Sequence, residues 1–313
     1  MTLAAEAPDL DTLWLFKGPV VGFAHHRGFT HSFLGLLAVA ALVTGFMYGV
    51  WRWRGQRTNI PDLPPRWPLL FVLAYIAGLS HILLDFTNNY GVRPFWPFSE
   101  RWYSWDIVSL IEPALYLFLL CGLGLPECFR RHRGVPRGRA AATFALLLMV
   151  GLYGIRDYEH RRAVHALEKT VFSLDHSPPA AALRASAYPL IWTIFRWHAV
   201  AETHEFLVSS EIDVRSGELA RTATEVFPKA AETREVIAAK GSYLGRLYLD
   251  WARYPLVTES RSGEDAIVHF RDLRFARPLS RDRVPLACSI ELNQNLEVIR
   301  ESFGRRQQSP PVD

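Results

Sequence analysis

Four stretches of the chain stay apolar for about the length of a bilayer crossing, which takes about 20 helical residues. They run from about Ser32 to Trp51, Trp67 to Phe86, Ile107 to Leu125 and Ala140 to Ile155. Each is apolar on all faces, and Trp or Tyr residues stand at the ends (Trp51, Trp53, Trp67, Tyr103, Trp105, Tyr153). A helix of a soluble bundle keeps a polar face, whereas a membrane helix ends in an interfacial aromatic belt. The pattern therefore predicts a membrane α-helical bundle of about four transmembrane helices over residues 1–156. Beyond Arg156 the period changes. Asp157–Thr170 continues the fourth span as a charged helix, and Glu205–Val214 alternates like a strand into the turn Arg215-Ser-Gly217. Thr233–Trp251 has helical spacing, Ala266–Phe275 alternates, and Ala287–Glu301 reads as a hairpin around Asn293-Gln-Asn295. Residues 157–313 are thus expected to form a soluble α+β domain, with Pro178-Pro179 as a linker.

The charge distribution orients these spans. Arg52, Arg54, Arg57 and Arg66 fill the loop after the first, and Arg130, Arg131, Arg133, Arg137 and Arg139 the loop after the third. The loop after the second holds only Arg93 and Arg101. Short Arg-rich loops stay in the cytoplasm. That places residues 1–31, the 87–106 loop and the C-terminal domain on the outer face of a bacterial inner membrane, probed by reporters fused at those points. The net charge of +4 is mild, and the Arg residues lie beside apolar runs, so the partner they suit is the lipid bilayer and no direct nucleic-acid binding is expected. Three cysteines suggest neither a disulfide framework nor a thiolate site.

Ionisable groups beside membrane spans are costly and need a reason. Here they gather. Asp9 and Asp11 form an Asp-x-Asp pair, and His26-Arg-Gly-Phe-Thr-His-Ser32 ends where the first span begins. His81 and Asp85, four apart, share one helical face near the end of the second. Asn88 and Tyr90 follow, Asp106 opens the third, and Glu112 lies further in. By the Arg-based topology all reach the same face. Imidazoles with carboxylates suit zinc, manganese or iron. Each piece alone has a plainer reading: His81 and Asp85 as a helix-end hydrogen bond, Asp9 and Asp11 as a cap, Thr30-His31-Ser32 as the cap of the first span. Their joint occurrence favours a metal site.

These motifs, Ala7-Pro-Asp-Leu-Asp11, His26-Arg-Gly-Phe-Thr-His-Ser32, His81-x-x-x-Asp-x-x-Asn-x-Tyr-Gly91 and Trp105-Asp106, resemble those of the YdjM-like inner-membrane proteins. That family is described as LexA-binding and as membrane-bound metal-dependent hydrolases. The resemblance covers residues 7 to about 113 and implies a metal-dependent hydrolase, with a LexA-type partner. The chain departs from the pattern twice. Members usually carry an apolar helix, often with its own Thr-His, before the Pro-Asp-x-Asp motif, so the expectation is a start shortened by one helix. Glu112 also stands where members tend to have Asp before Pro.

The expected function is a membrane-bound metal-dependent hydrolase acting on a phosphoester or lipid-like substrate. In it His26, His31, His81, Asp85 and Asp106 hold the metal. Asp9 or Asp11 completes the set or acts as base, Arg27 holds an anionic group with its planar fork, and Asn88, Tyr90 and Glu112 support them. The alternative is a non-enzymatic membrane protein with a structural polar cluster and a partner-binding outer domain. A transporter ranks last, because its polar groups belong at mid-membrane.

Overall fold

The computed structural model describes residues 1–57, 65–124, 138–172, 179–220, 223–276, 285–304 and 306–308. The Arg-rich stretch 130–137 and Pro178 of the expected linker lie outside them. The chain begins with a short helix, α1 (Thr2–Glu6), followed by an eleven-residue 3-10 helix, Ala7–Lys17. Gly18 then turns the chain at φ 118°, a region closed to residues with a Cβ, into α2 (Pro19–His25). A single 3-10 turn, Phe29–His31, leads to α3 (Phe33–Arg57). Ser32 caps α3, its hydroxyl accepting the Gly35 N–H at 2.9 Å.

α3 packs on α4 (Trp67–Thr87) through small residues. Gly78 admits the Leu36 side chain, and Ala40 and Ala74 leave room for Ala4 of α1. The first two expected spans are these helices. The third, as far as Gly124, is helical over only part of its length. Residues 107 and 108 run extended, their N–H groups donating to the Thr87 carbonyl, and Glu112 is extended before Pro113, a residue that disfavours helix in its predecessor. The helix α5 therefore starts only at Pro113 (Pro113–Leu119) and widens into a π turn, Leu120–Gly124. The fourth expected span is longer than its apolar run: α6 (Gly138–Glu168) continues unbroken through its charged second half. Among the described residues, three helices, α3, α4 and α6, are long and apolar enough to cross a membrane, rather than four.

The rest is β-rich. A small ladder pairs β1 (Val171–Phe172) with β2 (Ala180–Ala181). The first large antiparallel sheet holds β3 (Arg184–Pro189), β4 (Arg196–Glu202), β5 (Phe206–Asp213) and β6 (Glu218–Leu219), with β7 (Glu225–Pro228) also on β5. Two helices follow, α7 (Arg234–Gly241) and α8 (Tyr243–Trp251). They replace the single expected helix because Ser242 leaves the helical region to cap α8. The second sheet holds β8 (Pro255–Ser262), β9 (Asp265–Asp272), β10 (Cys288–Leu292), β11 (Val298–Phe303) and β12 (Arg306–Gln308), in the order β12-β11-β10-β9-β8.

Both sheets grip the helical part. Ala163 and Leu167 at the end of α6 pack on Trp197, Ala199 and Val208 of the first sheet. Val20 and Phe23 of α2, with Tyr90, enter the core that α8 forms with β9 and β10. Trp251 Nε1 donates to the Tyr90 carbonyl at 3.1 Å, and Arg274, paired with Asp272, donates to the Asn89 carbonyl at 3.0 Å. The extramembrane sheets thus hold α2 and the 88–91 turn that leaves α4.

Candidate metal centre

Four side chains from three segments meet beside α4. Asp9 comes from the 3-10 helix Ala7–Lys17, His31 from the turn before α3, and His81 and Asp85 from one face of α4. One donor atom from each lies within 4.8 Å of all the others. His31 Nε2 is 3.3 Å from Asp9 Oδ1 and 3.4 Å from Asp85 Oδ2; His81 Nε2 is 3.4 Å from Asp9 Oδ1 and 3.5 Å from Asp85 Oδ2. Nε2 of His31, Nε2 of His81 and Oδ2 of Asp85 are buried without a hydrogen-bond partner. Their contacts are ion pairs without hydrogen-bond geometry, and three such buried atoms at one point suit an occupant that bonds them all. A tetrahedral ion with bonds of about 2.0–2.1 Å has donor–donor edges of about 3.3–3.4 Å, close to those four distances. Two imidazoles and two carboxylates are a borderline-hard donor set that fits such a cation.

A second layer aims these donors. Asp11 Oδ2 lies 3.2 Å from His31 Nδ1, on the far side of the ring from the cluster, as in carboxylate–histidine–metal arrangements. Asp11 also accepts the backbone N–H of Arg27 at 2.7 Å and contacts His26 Nδ1 at 3.2 Å. Arg27 Nη2 donates to Asp85 Oδ1 at 2.6 Å, leaving Oδ2 for the cluster. Its other amino group reaches Asn88 Oδ1 and the Gly91 carbonyl, and its guanidinium lies over the Tyr90 ring.

The structure sorts the expected site residues into three groups. Asp9, His31, His81 and Asp85 converge. Asp11, His26, Arg27, Asn88 and Tyr90 stand behind them: His26 faces Asp11 rather than the cluster, and Arg27, buried and with both amino groups bound by protein acceptors, is a brace for Asp85 and not a free anion holder. Asp106 and Glu112 stand apart. Asp106 is bound by Arg253 and Ser104, each at 2.6 Å, and Glu112 pairs with Arg156 at 2.8 Å. Arg253 reaches Asp106 from 147 positions away, a partner that no local spacing signals.

The charges in the centre support one another. His31 and then His81 hold the Asp9 carboxyl well below the usual range, despite partial burial. Burial pushes Asp11 up, but His26 and His31 outweigh it and hold it low. Burial disfavours the His31 imidazolium, yet Asp11, Asp85 and Asp9 together raise its pKa to about 10. Without metal, His31 therefore carries a proton at neutral pH, and a metal accepts only the neutral ring. Binding expels that proton, so affinity should rise at least about tenfold per pH unit between about pH 6 and pH 8. Competition titration against a fluorescent zinc chelator checks this; an affinity that does not move with pH contradicts the placement of His31.

The sequence matches the family model described as YdjM inner membrane protein over residues 1–163, which include all four converging residues. Over 158 residues it is 27% identical to the uncharacterized protein YfhP of Bacillus subtilis (strain 168), a match covering 50% of this chain and 42% of that protein. The chain thus spans less than half the length of that curated relative. No solved structure matches it.

Proposed function

The chain belongs to the YdjM inner membrane protein family, and from that premise we propose that it is a membrane-bound hydrolase whose centre of Asp9, His31, His81 and Asp85 holds zinc and cleaves a phosphoester. The observation that carries the reading is the convergence of two imidazole nitrogens and a carboxylate oxygen, all buried and without a hydrogen-bond partner, on one point. A divalent metal there supplies a Lewis acid that polarises the ester and lowers the pKa of a water toward neutrality.

The chain's own residues do the rest. Asp11 sets the His31 ring so that Nε2 faces inward, and Arg27 fixes the rotation of the Asp85 carboxylate. Asp9 is the most open of the four, its side chain 45% exposed, so its second oxygen is the group placed to accept a proton from an attacking water. The Arg52, Arg54 and Arg66 end of α3 and α4 lies opposite the centre, which supports a centre that opens on the outer side of the membrane.

The test uses the zinc-loaded full chain in detergent with a chromogenic phosphodiester, bis(p-nitrophenyl) phosphate. Release of nitrophenolate should stop on chelation and return with zinc. Asp9→Asn at saturating zinc should lower the rate by about 100-fold or more, the usual effect of losing a positioned base. Protein that retains zinc yet shows no zinc-dependent turnover of this diester or of a phosphomonoester overturns the hydrolase reading and leaves the cluster structural.

A further inference from the structure

The centre sits alongside the last turns of α4, not past its end. His81 stands six residues before Thr87, where α4 ends, so at 1.5 Å per residue it is about 9 Å below that end. Residues three and four apart share a helix face, which puts exposed Leu84 beside His81 and exposed Ser80 one turn from Leu84. The neighbouring face of α4, at Gly78 and Ile82, is sealed against α3. On the other lip, the 3-10 helix repeats every three residues, so Leu10, Leu13 and Phe16 line one edge next to Asp9. All three are exposed, Phe16 by 89%. Past that edge, Trp14 stacks on His25 and carries Lys17 over its other side, the aromatic and basic pairing of a membrane interface. An apolar ridge of this kind beside membrane-length helices is stable against hydrocarbon and not against water.

We propose that the centre takes its substrate sideways from the bilayer: a single-chain or double-chain amphiphile with an anionic phosphoester headgroup. The headgroup enters between Asp9 and His81 while the hydrocarbon lies between Leu84 and the Leu10–Leu13–Phe16 edge. A divalent cation balances the two carboxylates of the centre, so a singly charged headgroup meets no net repulsion there. Arg27 takes no part in holding it, because its guanidinium is committed to Asp85, Asn88 and Gly91. The inference rests on the metal-centre reading and names its substrate class.

The experiment follows zinc loss to a chelator from the zinc-loaded full chain in vesicles of diacyl galactolipid, which carry no phosphoester of their own, with hexadecyl phosphate or ethyl phosphate as the protecting ligand. Both offer the same headgroup. Hexadecyl phosphate should protect at a concentration at least about tenfold lower, the effect of burying about two methylene groups. Partition into the vesicle raises the local concentration of the long ligand equally for every variant, so Leu84→Asn and Leu13→Asn isolate the ridge. In both the ratio of the two ligands should fall several-fold. Equal protection by the two phosphates, or a ratio unchanged in both variants, overturns the lateral route while the metal centre stands. Wild-type protein that retains no zinc removes the centre itself, and the inference with it.

Discussion

His81→Ala protein should lose nearly all of its metal and stay folded. The imidazole supplies one of four converging donors, and its Nε2 has no other hydrogen-bond partner. Residues that only orient a ligand command about 10–100-fold in affinity, so loss of a donor should exceed that range. The fold has little reason to respond. His81 lies on α4 facing the cluster rather than the α3 seam, and alanine is the best helix former. Metal content after gel filtration, compared with wild type, is the measurement, and circular dichroism reports the helices. Metal retained at the wild-type level would place the ion elsewhere or nowhere.

Glu112→Ala should do the reverse, destabilising the protein and leaving its metal in place. Glu112 and Arg156 form an ion pair at 2.8 Å with both side chains buried, Arg156 only 2% exposed. Removing one partner leaves a buried charge without its counter-ion, a loss of about 3–5 kcal/mol. Removing both should restore most of it, because a buried pair and an apolar pair of similar volume differ little. The order of thermal unfolding in detergent should therefore be wild type, then Glu112→Leu with Arg156→Met, then Glu112→Ala. An unchanged midpoint in Glu112→Ala contradicts the structural role assigned to the pair. Loss of metal in that variant would bring Glu112 back into the centre.

These two residues also mark where the sequence was legible and where it was not. The four-residue spacing of His81 and Asp85 puts both on one side of a helix whatever packs around it, so their convergence could be read directly. Asp9 and Asp11 could not be told apart. Their positions differ by two residues, and only the 3-10 winding, three residues per turn, sends Asp9 to the cluster and Asp11 behind the His31 ring. His26 and Arg27 fall behind the cluster because the chain bends there, with Arg27 at φ 53°, a conformation that its residue type does not announce. Asp106 and Glu112 look like metal ligands only while their real partners, Arg253 and Arg156, are out of sight.

The membrane helices follow the same rule. α3 and α4 were plain from apolar length, and α6 from its apolar half followed by a charged one. The third expected span is helical only from Pro113 because Glu112-Pro113 delays the helix and the 107–108 segment pairs with the end of α4 instead. In the extramembrane part, β5, β9 and the β10–β11 hairpin showed alternation or a turn signal. β4 did not, because Trp197 to Ala201 are covered on both faces and so carry no alternation.

The measurement closest to the central claim is X-ray absorption at the zinc edge of the loaded full-length chain. The ion should show nitrogen and oxygen neighbours at about 2.0–2.1 Å, the outer scattering of two imidazoles, and no sulfur. A sulfur neighbour at about 2.3 Å, or a shell with no imidazole scattering, would mean that Asp9, His31, His81 and Asp85 do not hold the ion.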